Sequence, residues 1–310
     1  MFNHEKTHAT SLIAATFTPM LPDGRLDLDK VPGIVNRLIR EGVMGLFVCG
    51  GTGEGVSLTR EERRASAEAH VQAAAGRVPV IIHVGQNSLL EAQNLAAHAA
   101  AIGANAIAAM APTYFKPDSL ASLVDCLKVI TAGAPDLPFI YYHFPHKTGL
   151  TLDVASLLQQ SADQLPSLMG VKFTDAKLFD LQACLEVENG HYKVFFGWDE
   201  MMLSGLAAGA HGAIGSTYNF AAPLYKRIIA AYERGDHASA RRDQALAVQM
   251  VRVILSYGGL AAQKAVMALI DSDCGPTRLP NASLSAEAVK QMCHDLEVIG
   301  FFDWARIGEE

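Results

Sequence analysis

Short apolar runs alternate along the chain with alanine-rich stretches of helical character. The runs at 12–17, 45–48, 80–84, 106–110, 139–142, 169–173, 194–196 and 212–214 read as strands, each too short for a helix and bounded by polar or glycine-containing turns. Between them, 29–41, 60–75, 89–101, 120–131, 154–160, 178–188 and 201–208 read as helices. Eight strands separated by helices are the pattern of a closed (β/α)8 TIM barrel. A doubly wound open sheet would instead place a glycine-rich phosphate turn after the first strand, where this chain has Thr18-Pro19-Met20. From 224 onward the strand signal stops. Helices are expected at 224–234, 237–256, 259–270 and 286–299, interrupted by Gly275-Pro276 and Pro280. The expected organisation is a barrel over 1–235 and a C-terminal helical extension over 236–310, packed on it as a single structural unit.

Composition narrows the class without choosing a function. Half of the 310 residues are hydrophobic, enough for a large core. A formal charge of −7 and a pI near 5.9 give no long-range attraction to nucleic acid or to an anionic membrane surface, so neither is expected as a partner. Cys49, Cys126, Cys184, Cys274 and Cys293 are widely spaced with no Cys-x-x-Cys pair, which suits reduced thiols. His143 and His146 form a close pair but lack the further ligands of a zinc site, so no metal is expected. No apolar span of about 20 residues occurs, and the start around His4, Glu5 and Lys6 lacks a signal-peptide core. A cytoplasmic location is the resulting expectation.

Lys172 changes the picture, because it lies inside the apolar run Leu168-Met169-Gly170-Val171-Lys172-Phe173. Strand alternation puts Gly170, Lys172 and Thr174 on one face and Val171 and Phe173 on the other. Burial would penalise the ammonium and leave a neutral amine able to attack a carbonyl; alternatively, such a lysine can snorkel out at a strand end. Cys49-Gly50-Gly51-Thr52-Gly53-Glu54-Gly55, after the run Gly45-Leu46-Phe47-Val48, can aim backbone N–H groups at an anion. It fits neither the P-loop nor the dinucleotide spacing, and it also reads as a plain turn before a helix capped by Thr59. Tyr142, in Phe139-Ile140-Tyr141-Tyr142-His143-Phe144-Pro145, lies 30 positions before Lys172, room for one helix between neighbouring parallel strands. Its phenol can shuttle protons beside the lysine, or simply pack.

Two further segments, Phe195-Phe196-Gly197-Trp198-Asp199-Glu200 and Gly215-Ser216-Thr217-Tyr218-Asn219, stand at strand exits. With Gly51-Thr52-Gly53-Glu54, Tyr141-Tyr142-His143-Phe144-Pro145 and Gly170-Val171-Lys172-Phe173-Thr174-Asp175, they make five motifs in order. On these the chain, from about residue 11 to about 223, resembles the neuraminate lyase branch of the dihydrodipicolinate synthase and neuraminate lyase superfamily.

The resemblance implies a class I aldolase without cofactor, in which Lys172 forms a covalent imine with a 2-oxo acid. The bond between the third and fourth carbons then breaks to give pyruvate and a sugar aldehyde, most simply N-acetylneuraminate yielding N-acetylmannosamine. It also implies that Thr52 and backbone N–H groups near Gly51 hold the pyruvate carboxylate, and that Tyr142 assists proton transfer. Thr174, Gly197, Asp199, Glu200 and Ser216 match positions that contact the sugar tail, and Asp199, Glu200 and Ser216 are expected to leave pyruvate chemistry untouched. Asp199 and Glu200 would in any case suit a helix N-terminus. Tyr114, in Ala111-Pro112-Thr113-Tyr114-Phe115-Lys116-Pro117, matches a tyrosine that reaches a neighbouring subunit, which implies a homo-oligomer, expected as a homotetramer.

The chain departs from that pattern at three positions. Gly51 replaces a common Ser or Thr hydroxyl, and His146-Lys147 replaces a small or apolar pair. Lys147 matches an arginine with which dihydrodipicolinate synthases bind a second carboxylate, although it also reads as a solvated loop lysine. The alternatives left open are such a synthase, another 2-oxo-sugar-acid aldolase or dehydratase, and a non-catalytic sensor of sialic acid or pyruvate.

Overall fold

The computed structural model describes residues 10–305. Its strands are Ser11–Ala15 (β1), Gly45–Val48 (β2), Val80–His83 (β3), Ala106–Ala109 (β4), Phe139–His143 (β5), Leu168–Phe173 (β6), Lys193–Phe196 (β7) and Gly212–Gly215 (β8). They pair in sequence order, all parallel, and β1 closes on β8. The expected TIM barrel is therefore observed. Each strand is buried on both faces, which is why it reads as an unbroken apolar run. Ile13, Phe47, Ile81, Ile140, Tyr142 and Phe195 belong to the cluster that fills the barrel interior. Val171 and Phe173 belong to the separate layer beneath the helices, as alternation along β6 requires.

Between the strands lie Val31–Arg40 (α1), Arg60–Ala74 (α2), Leu89–Ala101 (α3), Leu120–Thr131 (α4), the single turn Pro145–Thr148 (α5), Val154–Ser161 (α6), Leu178–Glu186 (α7) and Met202–Ala207 (α8). Several begin where a side chain accepts a free backbone N–H: Ser88 from Glu91, Ser119 from Ser122 and Asp153 from Ser156. Thr59 and Glu62 form a reciprocal capping box on α2. The last barrel helix, Tyr218–Glu233 (α9), starts six residues before the expected 224. Pro223 argues for a later start, but the helix is already kinked at Ala221 (φ −142°, ψ 24°), so the proline opens the regular stretch instead of interrupting it.

Beyond the barrel, His237–Ser256 (α10) packs along α9, Leu260–Leu269 (α11) packs against α9 and α10, and Ala286–Val298 (α12) lies on α10 and α11, followed by Phe301–Trp304 (α13). The connection between α11 and α12 returns to the loops that follow β1 and β2. Met20 donates its N–H to Cys274 O at 3.0 Å, and Arg278 Nη2 donates to Gly24 O at 2.7 Å. Among the described residues, no single helix is long and apolar enough to cross a membrane.

Candidate active site

The pairing of β5 with β6 sets Tyr142 directly beside Lys172, at the carboxyl end of the barrel. Lys172 is 5% exposed, so it does not snorkel to solvent. Its Nζ lies 4.2 Å from the centre of the Tyr142 ring and 4.6 Å from that of Phe47. Phe47 meets Tyr142 edge-on at 5.7 Å, and His83 meets the same ring edge-on at 5.9 Å. Lys172 makes no ion pair within the described residues. Burial pulls its pKa down to about 7, against the opposing pull of the Asp199 carboxylate. A substantial share of the amine is therefore neutral near pH 7. His83 is held down to about 3 by burial, reinforced by the charges of Arg63 and Lys172. Burial pushes the Tyr142 phenol upward, the neighbouring Thr174 hydroxyl opposing the rise and the Asp199 charge adding to it. The site thus combines a nucleophilic amine with a phenol that keeps its proton.

Close approach of the backbone shapes the loop after β2. A Cβ at Gly55 would run into the Cys49 carbonyl, and one at Gly53 would crowd the Thr16 carbonyl. Thr18 Oγ1 donates to Gly53 O at 2.7 Å. Gly51 differs, being exposed with open space where a Cβ would project. Thr52 beside it is half-buried. The missing hydroxyl at 51 is therefore not a steric necessity.

Across the barrel mouth, Thr174 follows β6 and Gly197 follows β7, joined to it through Gly197 N–H donating to Phe173 O at 2.8 Å. A Cβ at 197 would strike the Thr174 hydroxyl, so the glycine lets these two strand exits meet. A side chain at Gly215 would likewise collide with the Asp199 carboxylate. Asp199 is buried, and its Oδ2 accepts from Thr217 N at 2.8 Å and Thr217 Oγ1 at 2.7 Å. Thr217 has a single hydroxyl proton; with it on the carboxylate, Thr217 accepts from Tyr225 OH at 2.8 Å. Burial raises the pKa of Asp199, against its hydrogen bonds and the charge of Lys172. The Asp199 carboxylate and the Lys172 amine thus influence each other through their charges without a direct contact. Glu200 and Ser216 are only partly buried, and burial raises Glu200 as well, with the Asp199 charge next to it adding to the rise. Asp199 and Glu200 also open a 3-10 turn, Asp199–Met201, leading into α8, as the helix-start reading expects.

The remaining candidates stand apart. Tyr114 is 77% exposed and meets Phe115 edge-on at 4.9 Å, and no described contact joins it to the Lys172 group. Lys147 and His146 are exposed on α5, where His146 faces the half-buried Trp198 at 6.0 Å.

Some neighbours of the site escaped the reading of the sequence. Phe47 and His83 sit in strands where an inward side chain is indistinguishable from core. Thr217 and Glu54 stood within quoted motifs and could have been singled out as polar residues at buried turns. Tyr225 gives no local signal, because a tyrosine on a helix reads as packing.

Known proteins resemble this chain over most of its length. Residues 8–299 match the model of the dihydrodipicolinate synthetase family. The chain is 43% identical to the N-acetylneuraminate lyase of Gallus gallus over 293 residues, spanning 93% of this chain and 95% of the relative. With the N-acetylneuraminate lyase of Pongo abelii the identity is 39% over 306 residues, 96% of both chains. In structure it resembles the Proteus mirabilis N-acetylneuraminate lyase with a TM-score of 0.91 at 38% identity, covering 94% of this chain and 99% of that one.

Proposed function

The chain belongs to the dihydrodipicolinate synthetase family, and from that premise we propose that it is a class I, Schiff-base-forming lyase that reversibly cleaves N-acetylneuraminate to N-acetylmannosamine and pyruvate. The observation that carries this reading is Lys172, a buried strand lysine with its pKa near 7 beside the Tyr142 phenol. Family membership and the lyase relatives named above support the choice of substrate.

The neutral Lys172 amine attacks the ketone of the 2-oxo acid, and loss of water gives a protonated imine. That iminium withdraws the electron pair of the bond between the third and fourth carbons while the hydroxyl on the fourth carbon gives up its proton. The aldehyde leaves, the resulting enamine takes a proton at the third carbon, and water hydrolyses the imine to release pyruvate and the free lysine. In reverse the enamine is the nucleophile toward the aldehyde. Because the iminium is itself the electron sink, this reaction calls for no cofactor.

In this reading Thr52 and the backbone near Gly51 hold the carboxylate, and Tyr142 relays protons at the imine and the departing hydroxyl. Thr174, Gly197, Asp199, Glu200 and Ser216 receive the polyhydroxylated tail, for which carboxylates are suitable acceptors. The barrel over 1–235 and the extension over 236–310 act as one unit. We further read the enzyme as a cytoplasmic homotetramer, with the exposed Tyr114 and Phe115 at a contact between copies. A fully active monomer by light scattering at assay concentration would count against that assembly.

Pyruvate release measured across a panel of 2-oxo sugar acids tests the substrate. N-acetylneuraminate is expected to turn over fastest. Its failure to react, alongside rapid condensation of pyruvate with aspartate semialdehyde, would favour a synthase with Lys147 as the second carboxylate anchor.

A further inference from the structure

A second lysine, Lys264 on α11, is more deeply buried than Lys172, at 2% exposed. Its Nζ lies 2.9 Å from Glu54 Oε1 and donates to Pro276 O at 2.8 Å. The other carboxylate oxygen of Glu54 accepts the Arg278 backbone N–H, also at 2.8 Å. Arg278 in turn sends its guanidinium to Glu62 on α2 and to the Gly24 and Ser57 carbonyls. The C-terminal extension therefore grips the last residue of the Gly50-Gly51-Thr52-Gly53-Glu54 loop with two charged or polar contacts in the protein interior.

Stability alone does not account for this arrangement. A buried ion pair gains little over apolar residues of similar size, because both charges must be stripped of water. Its geometric effect is clearer. Glu54 adopts a left-handed backbone (φ 54°) that non-glycine residues rarely take, and Cys49 at the other end of the loop does so too (φ 59°). The three glycines between them contribute no side chains to fix the directions of their N–H groups. Within the loop, Thr18 Oγ1 holds Gly53 O and the Gly51 carbonyl accepts the Glu54 N–H, so the cradle is tied directly to Glu54; of the two ends, Cys49 is set by β2 and by its thiol against Arg63 O, and Glu54 by Lys264 and Arg278.

We propose that Lys264 and Glu54 are positioning residues, an ion pair across the boundary between barrel and extension that presets the Gly51-Thr52 cradle for the substrate carboxylate. This rests on the reading of that loop as the carboxylate site. Lys264 and Glu54 touch neither the substrate nor Lys172. Their effect falls on recognition of the carboxylate and spares the amine that forms the imine.

Borohydride trapping at Lys172, quantified by peptide mapping, separates the two effects when pyruvate is compared with hydroxyacetone, a ketone without a carboxylate. In Lys264→Met and in the near-isosteric Glu54→Gln, the pyruvate concentration for half-maximal trapping should rise about tenfold while hydroxyacetone trapping stays at the wild-type level. Lys264→Arg, which keeps the charge, should recover part of the pyruvate affinity. Equal losses for both ketones, unchanged pyruvate half-saturation, or failure of both Lys264→Met and Glu54→Gln to fold would assign the pair to general stability and overturn the proposal. Absence of pyruvate trapping at Lys172 in the wild type would instead remove the functional reading beneath it.

Discussion

Lys172 and Lys264 are both buried lysines, yet their surroundings make them different chemical groups. Lys264 has a carboxylate at 2.9 Å and a carbonyl at 2.8 Å, so its ammonium is matched by partners. Lys172 lies over two aromatic faces, with Asp199 acting only through its field, and burial brings its pKa to about 7. Burial alone therefore does not make a nucleophile. The decisive difference is whether the counter-charge comes into contact, and the barrel places one lysine in each situation.

Exchanging either lysine breaks the comparison in opposite ways. Lys172→Ala should lower N-acetylneuraminate cleavage by at least about 10⁴-fold and abolish trapping with pyruvate at this position, because it removes the buried amine that forms the imine. Steady-state turnover of the purified variant, with folding verified by circular dichroism, tests this; retention of a tenth of the wild-type rate would contradict it.

Stability should respond in the reverse sense. Lys264→Met leaves Glu54 buried without its cation and is expected to cost about 3–5 kcal/mol in urea denaturation. Lys172→Met removes a poorly compensated cation and should be neutral or stabilising at pH 6. The pH dependence follows from the depressed pKa of Lys172. Between about pH 7 and the ordinary lysine value of 10.5, the unfolded chain binds the extra proton, so the wild type gains stability from this group as pH rises. Below about 7 both states are protonated and the contribution no longer changes. Lys172→Met should lack that rise when urea midpoints are compared at pH 6 and pH 9.

The distal carboxylates sharpen the contrast on a smaller scale. Glu200→Gln weakens one acceptor to the sugar tail and should lower kcat/KM for N-acetylneuraminate by the equivalent of about 1–3 kcal/mol, with pyruvate trapping nearly intact. Unchanged cleavage would remove Glu200 from the tail site. Asp199→Asn should act on both processes. Its charge supports the protonated form of Lys172, so its loss should move the midpoint of pyruvate trapping to lower pH. The size of that shift should stay within about one pH unit for charges not in contact. A midpoint moving upward would contradict the assigned direction.

These contrasts also explain what the sequence could and could not convey. A strand lysine flanked by apolar residues is a local anomaly, so Lys172 was legible, as were β2, α3, α4 and α10 with their full bounds. Lys264 carried no such mark. On an amphipathic helix a lysine reads as a solvent-facing residue, and its partner Glu54 belongs to a loop at the opposite end of the chain. Phe47, beneath the Lys172 amine, was hidden for a related reason, since an apolar side chain in a parallel strand has the same signature whether it faces the site or the core. The start of α9 was obscured by Pro223, whose position depends on a kink that only tertiary packing produces. Sequence order gives the strand exit of the Asp199 carboxylate, not how far its field reaches, so its influence on Lys172 had no local signal.

The pH dependence of borohydride trapping by pyruvate, with the label mapped to its lysine, tests the central claim most directly. The label should fall on Lys172 and the trapping rate should rise with pH through a midpoint near 7, as the buried amine loses its proton. A label on another lysine, or a midpoint near the ordinary value of 10.5, would contradict the account.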